Sequence, residues 1–472
     1  MKKIKIILIA IIPLTIITSC KKFLTENPKS SANPTTVLTS VGGFDAALIG
    51  AYSNFTGWTK MYTWDVLKLN ESFVDYQYAP YAADISNGNI LSSDYPVWFA
   101  WENLYKIIGS ANLVISNIAN ISGAPEKNRI EGEAKFLRAW AYFNLVQFFG
   151  DVPLVLESVN DPSNFQPARS PQKDVYNQII KDLQDGESLM NDVAPQPSRV
   201  NRWVAKAYLS KVYLTMAGSP NNITTYNGTN TYSLALDKAK EVINSNKYSI
   251  NVPYQAVHQT TGDAETIWEI RSPDLSLYNH YTFLSQGIFT PSAAFISSFD
   301  ANDVRGPAWG IRTSYVYNGT TYTFPEPTYM KFVDTIQNSK GQQFQSTLSI
   351  TAMRLADVLL MGAEADNELN STPSTDAYTW INAVRQRAGI SNLPAGLSKP
   401  AFKDAIFIER RKELYGEGWS WFDLKRFNKF DLLNTTGRSF KTAIDAHLNY
   451  YPIYNAETVN NPNVTQNPGW PG

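Results

Sequence analysis

Few side chains in this sequence are equipped for chemistry. Cysteine occurs once, at Cys20, and histidine three times, at His258, His280 and His447. A single thiol builds no disulfide framework, and the histidines lack a metal-ligand spacing, which excludes zinc sites of the Cys/His kind. No Gly-x-Ser-x-Gly, His-Glu-x-x-His or phosphate-cradling glycine loop is present. The run Asp300–Gly306 has the acidic look of a calcium loop, but Val304 stands at its fifth position and Arg305 where glycine is needed. Glu409, Arg410, Arg411 and Glu413 share helical spacing, with Asp423 and Arg426 able to extend the set. Two such carboxylates are all a glycosidase needs, so a hydrolase is not excluded by composition. No nucleophile accompanies them, and neighbours at i,i+3 and i,i+4 form structural ion pairs. Structural pairing is therefore the reading adopted, with Asp303 and Arg305 as loop anchors. The sequence calls for no cofactor or metal.

The lone cysteine has a more specific setting. Lys2, Lys3 and Lys5 precede an apolar run, Ile6–Ile17, that is too short to span a bilayer and fits a signal-peptide core. It ends in Ile17-Thr18-Ser19-Cys20, an aliphatic residue, two small ones and a cysteine. That is the pattern of a bacterial lipobox, in which cleavage before Cys20 exposes an amine and a thiol for acylation. Several acyl chains on one residue hold a protein to a membrane without a spanning helix. The expected organisation is a lipoprotein signal peptide over 1–19, a lipidated tether over 20–34 and one large domain over 35–472.

Composition points to binding. With 41 basic and 42 acidic side chains, the chain lacks the positive excess that nucleic acid demands. Aromatic residues reach 13%, with 12 Trp and 26 Tyr, and there are 40 Asn. A sugar ring packs its C–H face on an aromatic ring and gives its hydroxyls to amides and carboxylates. Two stretches concentrate both kinds of residue. The first, within 55–98, holds Trp58, Trp64, Asn70, Asp75, Tyr76, Tyr81 and Trp98. The second, Tyr278–Tyr329, within the loop-rich 249–349, holds Tyr281, Trp309, Tyr315, Tyr317 and Tyr322. Trp98, Trp64, Tyr76 and Trp309 are the expected platforms, with Asn70, Asp75, Tyr81 and Tyr315 beside them. The competing reading is that these rings fill a core, as most Trp and Tyr do.

Apolar periodicity predicts the helices that carry these loops: Gly43–Ser53, Trp98–Ile121, Lys127–Phe149, Lys173–Met190, Arg202–Ala217, Ser233–Ser245, Ile350–Leu369, Thr375–Ala388 and Lys399–Tyr415. Small residues at Ala205, Ala207, Ala235 and Ala239 let consecutive helices approach, as in tetratricopeptide units, although no strict repeat period is legible. Between Ser249 and Ser349 the chain is rich in Tyr, Thr, Pro and Gly, and Asn318-Gly319 between alternating runs predicts a β-hairpin. The fold expected is mainly α, a tetratricopeptide-like helical scaffold with an irregular, loop-rich lobe containing short hairpins.

Motifs spread over nearly the whole chain resemble the SusD/RagB-like family of outer-membrane nutrient-binding lipoproteins of the Bacteroidota. They include Trp101–Tyr105 with Asn112, Glu133–Ala139 to Tyr142, Gly150–Leu154 and the Asp303-x-Arg305 pair. Later come Arg354–Leu360, Asn382–Gly389, Glu409–Leu414, Trp421–Leu424, Tyr451–Ile453 and Gln466–Gly469. Two departures stand out: Tyr454 replaces the second proline of the family's Pro-Ile-Pro, and Lys21-Lys22 follow the cysteine where acidic residues are common. The resemblance implies a non-enzymatic lipoprotein of the outer membrane, exposed at the cell surface. It would bind an oligosaccharide or polysaccharide and deliver it to a SusC-type TonB-dependent transporter. A peptide ligand, as in some relatives, a surface glycoside hydrolase and a pure scaffold are the alternatives.

The anchor reading has a direct test. Cys20→Ala should abolish acylation and release the protein from membranes, followed by cell fractionation and intact mass. Continued partition with outer membrane in cells lacking the transporter would refute it.

Overall fold

The computed structural model describes residues 37–471 apart from 58–59, 160–164, 272–275, 278–281, 283 and 441–442. The expected signal peptide and tether, with Cys20, lie outside the described residues. Among the described residues no helix is long and apolar enough to cross a membrane.

The framework is a succession of helices: α1 (Val41–Tyr52), α2 (Trp64–Glu71), α3 (Tyr95–Asn117), α4 (Lys127–Phe149), α5 (Gln172–Leu189), α6 (Arg202–Ala217), α7 (Thr231–Ile243), α8 (Leu355–Leu369), α9 (Thr375–Arg387) and α10 (Lys399–Leu414). Short capping side chains fix several starts. Asn201 accepts from the Trp203 and Val204 N–H groups, Ser374 from Ala377 and Ser398 from Ala401. Consecutive helices pack as pairs, α4 on α5, α6 on α7 and α8 on α9, with α7 also against α8. The helical repeat scaffold and the loop-rich lobe expected from the sequence are both present.

Helix α4 is the centre of the framework. Nearly every residue from Arg129 to Phe149 is buried, so its hydrophobicity is spread around the whole helix rather than along one stripe. At Gly132 a Cβ would lie 2.8 Å from Met190 Cγ and 3.0 Å from Leu189 Cβ, so glycine sets the close approach of α4 to the end of α5. Beside it is an aromatic nucleus. The Trp140 ring lies 4.6 Å from Phe55 and 6.3 Å from Trp268, and its indole N–H donates to Tyr208 Oη at 3.2 Å.

The lobe contains β1 (Thr266–Ile270), β2 (Ile311–Tyr317), β3 (Thr320–Tyr329) and β4 (Ile350–Arg354). Strands β2 and β3 form the expected hairpin, and Asn318 and Gly319 supply the two positive φ angles, 48° and 77°, of its tight turn. One expectation is corrected. Ile350–Arg354 reads as the first turn of a helix, yet it is strand β4, antiparallel to β1. All five of its residues are buried, and a short run buried on every side has no periodicity to separate strand from helix.

A buried ion network joins lobe to framework. Arg305 donates to Asp303 Oδ1 and Oδ2, both at 2.8 Å, and also to Glu409 and Glu413 of α10. Arg354, at the end of β4, reaches Glu265 at 2.9 Å, Glu417 at 2.8 Å and Glu413. Arg385 and Arg387 of α9 and Lys331 after β3 complete it. Burial by itself would raise the Glu413 carboxyl, but the guanidiniums of Arg387, Arg354 and Arg305 outweigh that and hold it well below the usual range. The carboxylates that looked like acid–base candidates are thus committed to buried ion pairs.

Core packing at α4 predicts a large loss on truncation. Trp140→Ala should destabilise the protein by about 3–5 kcal/mol, read from chemical denaturation. A loss under about 1 kcal/mol would mean that the ring is not part of the packed centre.

Candidate functional site

The residues expected to bind a ligand fall into different environments. Tyr76 is only 1% exposed. Its hydroxyl donates to Glu71, exchanges a hydrogen bond with Ser420 Oγ at 2.7 Å and accepts from the Gly416 N–H at 3.1 Å. It offers no face to a ligand, because desolvating its ring and hydroxyl inside the protein satisfies both. Tyr315 is likewise buried, stacked 5.2 Å from Tyr322 within the β2–β3 hairpin and donating to Asn338 Oδ1 at 2.8 Å. Trp309 is half-buried, its ring edge-on to Tyr254 at 6.1 Å and packed on the hairpin's own small core. Asp75 is ion-paired with Arg411. Asn70 borders an enclosed space of about 20 Å³ beside Trp140 and Trp419. Tyr81 projects into solvent, 79% exposed. Trp64 opens α2, and its side chain lies outside the described residues. The structure therefore does not gather the expected set into one site.

Trp98 is different. It sits in the first turn of α3 rather than in a loop, where Pro96 starts the helix. Its half-buried ring lies 4.8 Å from Phe99 at 27° and 6.2 Å from Tyr454 at 16°. Tyr95, 64% exposed, continues the patch at 5.9 Å. This aromatic surface borders a cleft of about 660 Å³, with Trp101, Tyr105, Pro153, Phe165 and Pro167 as further apolar lining. Glu102, Lys106, Gln166, Glu457, Asn460 and Asn461 supply polar groups. Few convergent polar groups on an apolar, concave surface are what a small-molecule or glycan site requires.

Distant parts of the chain hold this cleft in shape. The C-terminal segment is fastened to the end of α4, where Tyr451 N donates to Phe148 O at 2.7 Å. The Tyr451 ring stacks on Trp421 at 4.4 Å and its hydroxyl donates to Leu69 O at 2.7 Å. Ile453 N donates to Gln466 Oε1 at 2.6 Å, and Gln466 Nε2 returns a bond to Ile453 O. Asn461 Nδ2 reaches Pro167 O at 2.9 Å, closing the wall that carries Phe165. The short helix α12 (Asn455–Asn460, after α11, Ser420–Arg426) presents Glu457 to the cleft. Burial raises the Glu457 carboxyl, and the Trp101 indole, hydrogen-bonded to it, opposes that shift.

Tyr454 carried a signal in the sequence, since it replaces a proline of the motif it interrupts. Phe165, Gln166 and Glu457 carried none, because their place in the cleft depends on contacts across some 300 residues, such as Asn461 to Pro167.

Two family models match the chain. One, described as starch-binding and associating with the outer membrane, covers residues 22–214, and the other, the SusD family, covers 309–470. Both models are of SusD-type families, and the chain resembles them over those two stretches. A SusD-like protein, P2, from Formosa agariphila is 26% identical over the full length of both chains. Among solved structures, a SusD superfamily protein from Parabacteroides distasonis is 25% identical with a TM-score of 0.78, covering 90% of this chain and 98% of its own. A laminarin-binding SusD-like protein superposes with a TM-score of 0.73 at 23% identity, over 90% of this chain and 99% of that one. The SusD-like framework described above is thus shared along almost the whole chain.

The hydrogen bonds around Tyr76 generate a prediction. Glu71 is fully buried, accepts from Tyr76, Gln77 Nε2, Gly418 N and Ser420 Oγ, and forms no ion pair among the described residues. Burial pushes its carboxyl up to about 7, against the opposing pull of those donors. A carboxyl raised on folding stabilises the protein below its unfolded value, near 4.5, and that contribution is lost as pH rises through about 7. The melting temperature should therefore fall between pH 5 and 7.5, and Glu71→Gln should remove that component of the profile. Identical pH profiles for both proteins would refute it.

Proposed function

We propose that the protein captures an oligosaccharide or polysaccharide in the Trp98–Tyr454 cleft, at the outer membrane, without cleaving it. The observation that carries this reading is the pair of near-parallel rings, Trp98 and Tyr454, bordering a cleft that also offers amides and carboxylates. Parallel rings match the flat C–H faces of pyranose units, and Glu457, Asn460 and Asn461 match their hydroxyls. The starch-binding description of the family model over residues 22–214 and the laminarin-binding structural neighbour support a glycan as the ligand.

The affinity expected is modest. If ring stacking on a sugar is comparable to stacking on a base, each aromatic contributes about 1–3 kcal/mol. Two or three such contacts, less the cost of association, give dissociation constants from roughly millimolar to micromolar. A protein that hands its ligand to a transporter needs that reversibility. Delivery to a SusC-type TonB-dependent partner, a lipid anchor at Cys20 and exposure at the cell surface belong to the same proposal. Binding without hydrolysis is part of the proposal, and the ion pairing of Glu409 and Glu413 with Arg305, Arg354 and Arg387 supports it for those two carboxylates.

Binding and stability should separate at this site. Trp98→Ala and Tyr454→Ala should each weaken polysaccharide binding about tenfold or more, corresponding to the loss of one stacking contact. Their melting temperatures should stay near that of the parent, in contrast to Trp140→Ala. Affinity electrophoresis against a polysaccharide panel, with mass spectrometry of the mixtures, provides the measurement. Unchanged binding in both variants, or new reducing ends in the mixture, would refute the reading.

A further inference from the structure

The charges of the same cleft carry a further inference, which rests on the glycan-binding reading and names the class of glycan. Among the described residues, the acidic and basic side chains that line the space are Glu102, Lys106 and Glu457. The first two cancel. Glu102 and Lys106 stand one helical turn apart on α3, and the Lys106 ammonium lies 2.8 Å from the Glu102 carboxylate. Glu457 has no such partner. It forms no ion pair among the described residues, and its neighbours are the Trp101 indole and the Tyr105 ring. Two other cations that act on residues of the cleft, Arg169 and Lys60, are not among its described lining. Arg169 spends its guanidinium on the carbonyl oxygens of Asp151 and Thr465, both at 2.8 Å, and on Asn467. Lys60 donates to Asn54 Oδ1 at 3.0 Å.

We infer that the cleft takes uncharged glycan chains and rejects polyanionic ones that bear uronate or sulfate groups. A neutral sugar presents vicinal hydroxyls that donate to the two oxygens of Glu457. A carboxylate or sulfate ester in the same place meets a carboxylate without an ion-pair partner, with no guanidinium among the described lining residues to receive it. The amides of Gln166, Asn460 and Asn461 complete a lining that suits hydroxyls rather than anions. A site built for anionic sugars needs the opposite arrangement, with arginine or lysine free to pair with the ligand.

The test uses the full chain purified in detergent and two forms of one backbone. Neutral polysaccharides, including laminarin, pullulan and hydroxyethyl cellulose, are screened by affinity electrophoresis. Each polymer is then compared with its carboxymethylated derivative by titration calorimetry. The derivative should bind roughly tenfold more weakly, the scale of one like-charge contact at a partly solvated site. The gap should close in about 0.5 M sodium chloride, where the screening length falls to roughly 4 Å. It should also narrow in Glu457→Gln, and in Glu102→Gln, which frees Lys106 to meet an anion.

Equal or tighter binding of the charged form would overturn the selectivity while leaving glycan binding intact. So would a gap that neither salt nor either substitution alters, since that loss would be steric. Failure of every polymer, neutral and charged, to bind would instead overturn the glycan-binding reading itself.

Discussion

The constraint on which the lobe depends is the pairing of buried charges around α10. Arg305 and Arg354 are at most 1% exposed, and each is enclosed by carboxylates from separate parts of the chain. Removing one partner from such a pair leaves an uncompensated charge in a poorly solvated interior, a cost of about 3–5 kcal/mol. Hydrophobic residues of similar volume would tolerate sliding. Guanidinium groups bound at fixed angles to Asp303, Glu265, Glu409, Glu413 and Glu417 do not. The network therefore fixes where β1, β4, the Asp303–Arg305 loop and the exit of α10 stand relative to α9. A second cluster does the same nearer α11, where Arg410 joins Asp357 of α8 to Asp423, and Arg426 pairs with Asp423 and Glu364. Burial would raise Asp357, but Lys211 and Arg410 prevail and hold its carboxyl at about 2.

From those fixed points the structure reaches the cleft in few steps. Helix α11 follows α10 and carries Trp421, against which Tyr451 stacks. Tyr451 in turn is bonded to the end of α4, and three residues later the chain presents Tyr454 to Trp98. The platform is thus assembled from a helix start and a C-terminal segment, each held by the packed core rather than by the other. That arrangement lets the rings remain partly exposed without costing the fold its stability.

The sequence by itself determined the framework. The long helices are legible because one face, or in α4 every face, is apolar at helical spacing, and their ends agree with the structure to within a few residues. The hairpin at Asn318-Gly319 is legible because only a turn with two positive φ angles demands that dipeptide. That the charges of α10 form structural ion pairs is legible, but their partners are not: helical spacing suggests pairing along the helix, whereas Glu409, Arg410 and Glu413 pair with residues from other parts of the chain. Strand β4 is not, since complete burial erases the alternation that marks a strand.

The site was decided by tertiary structure. Tyr76, Tyr315 and Trp98 are the same kind of residue in sequences of similar composition, and only the packing around each separates a buried ring from an exposed platform. Tyr76 is enclosed by the Gly416–Ser420 turn, more than 300 residues away, while nothing in the described structure covers the outer part of Trp98. Tyr454, Phe165 and Glu457 reach Trp98 only because Asn461 bonds to Pro167 and Tyr451 to Phe148. Local sequence encodes the periodicity that makes a helix. Which aromatic rings water can reach depends on neighbours far along the chain, and no local pattern records them.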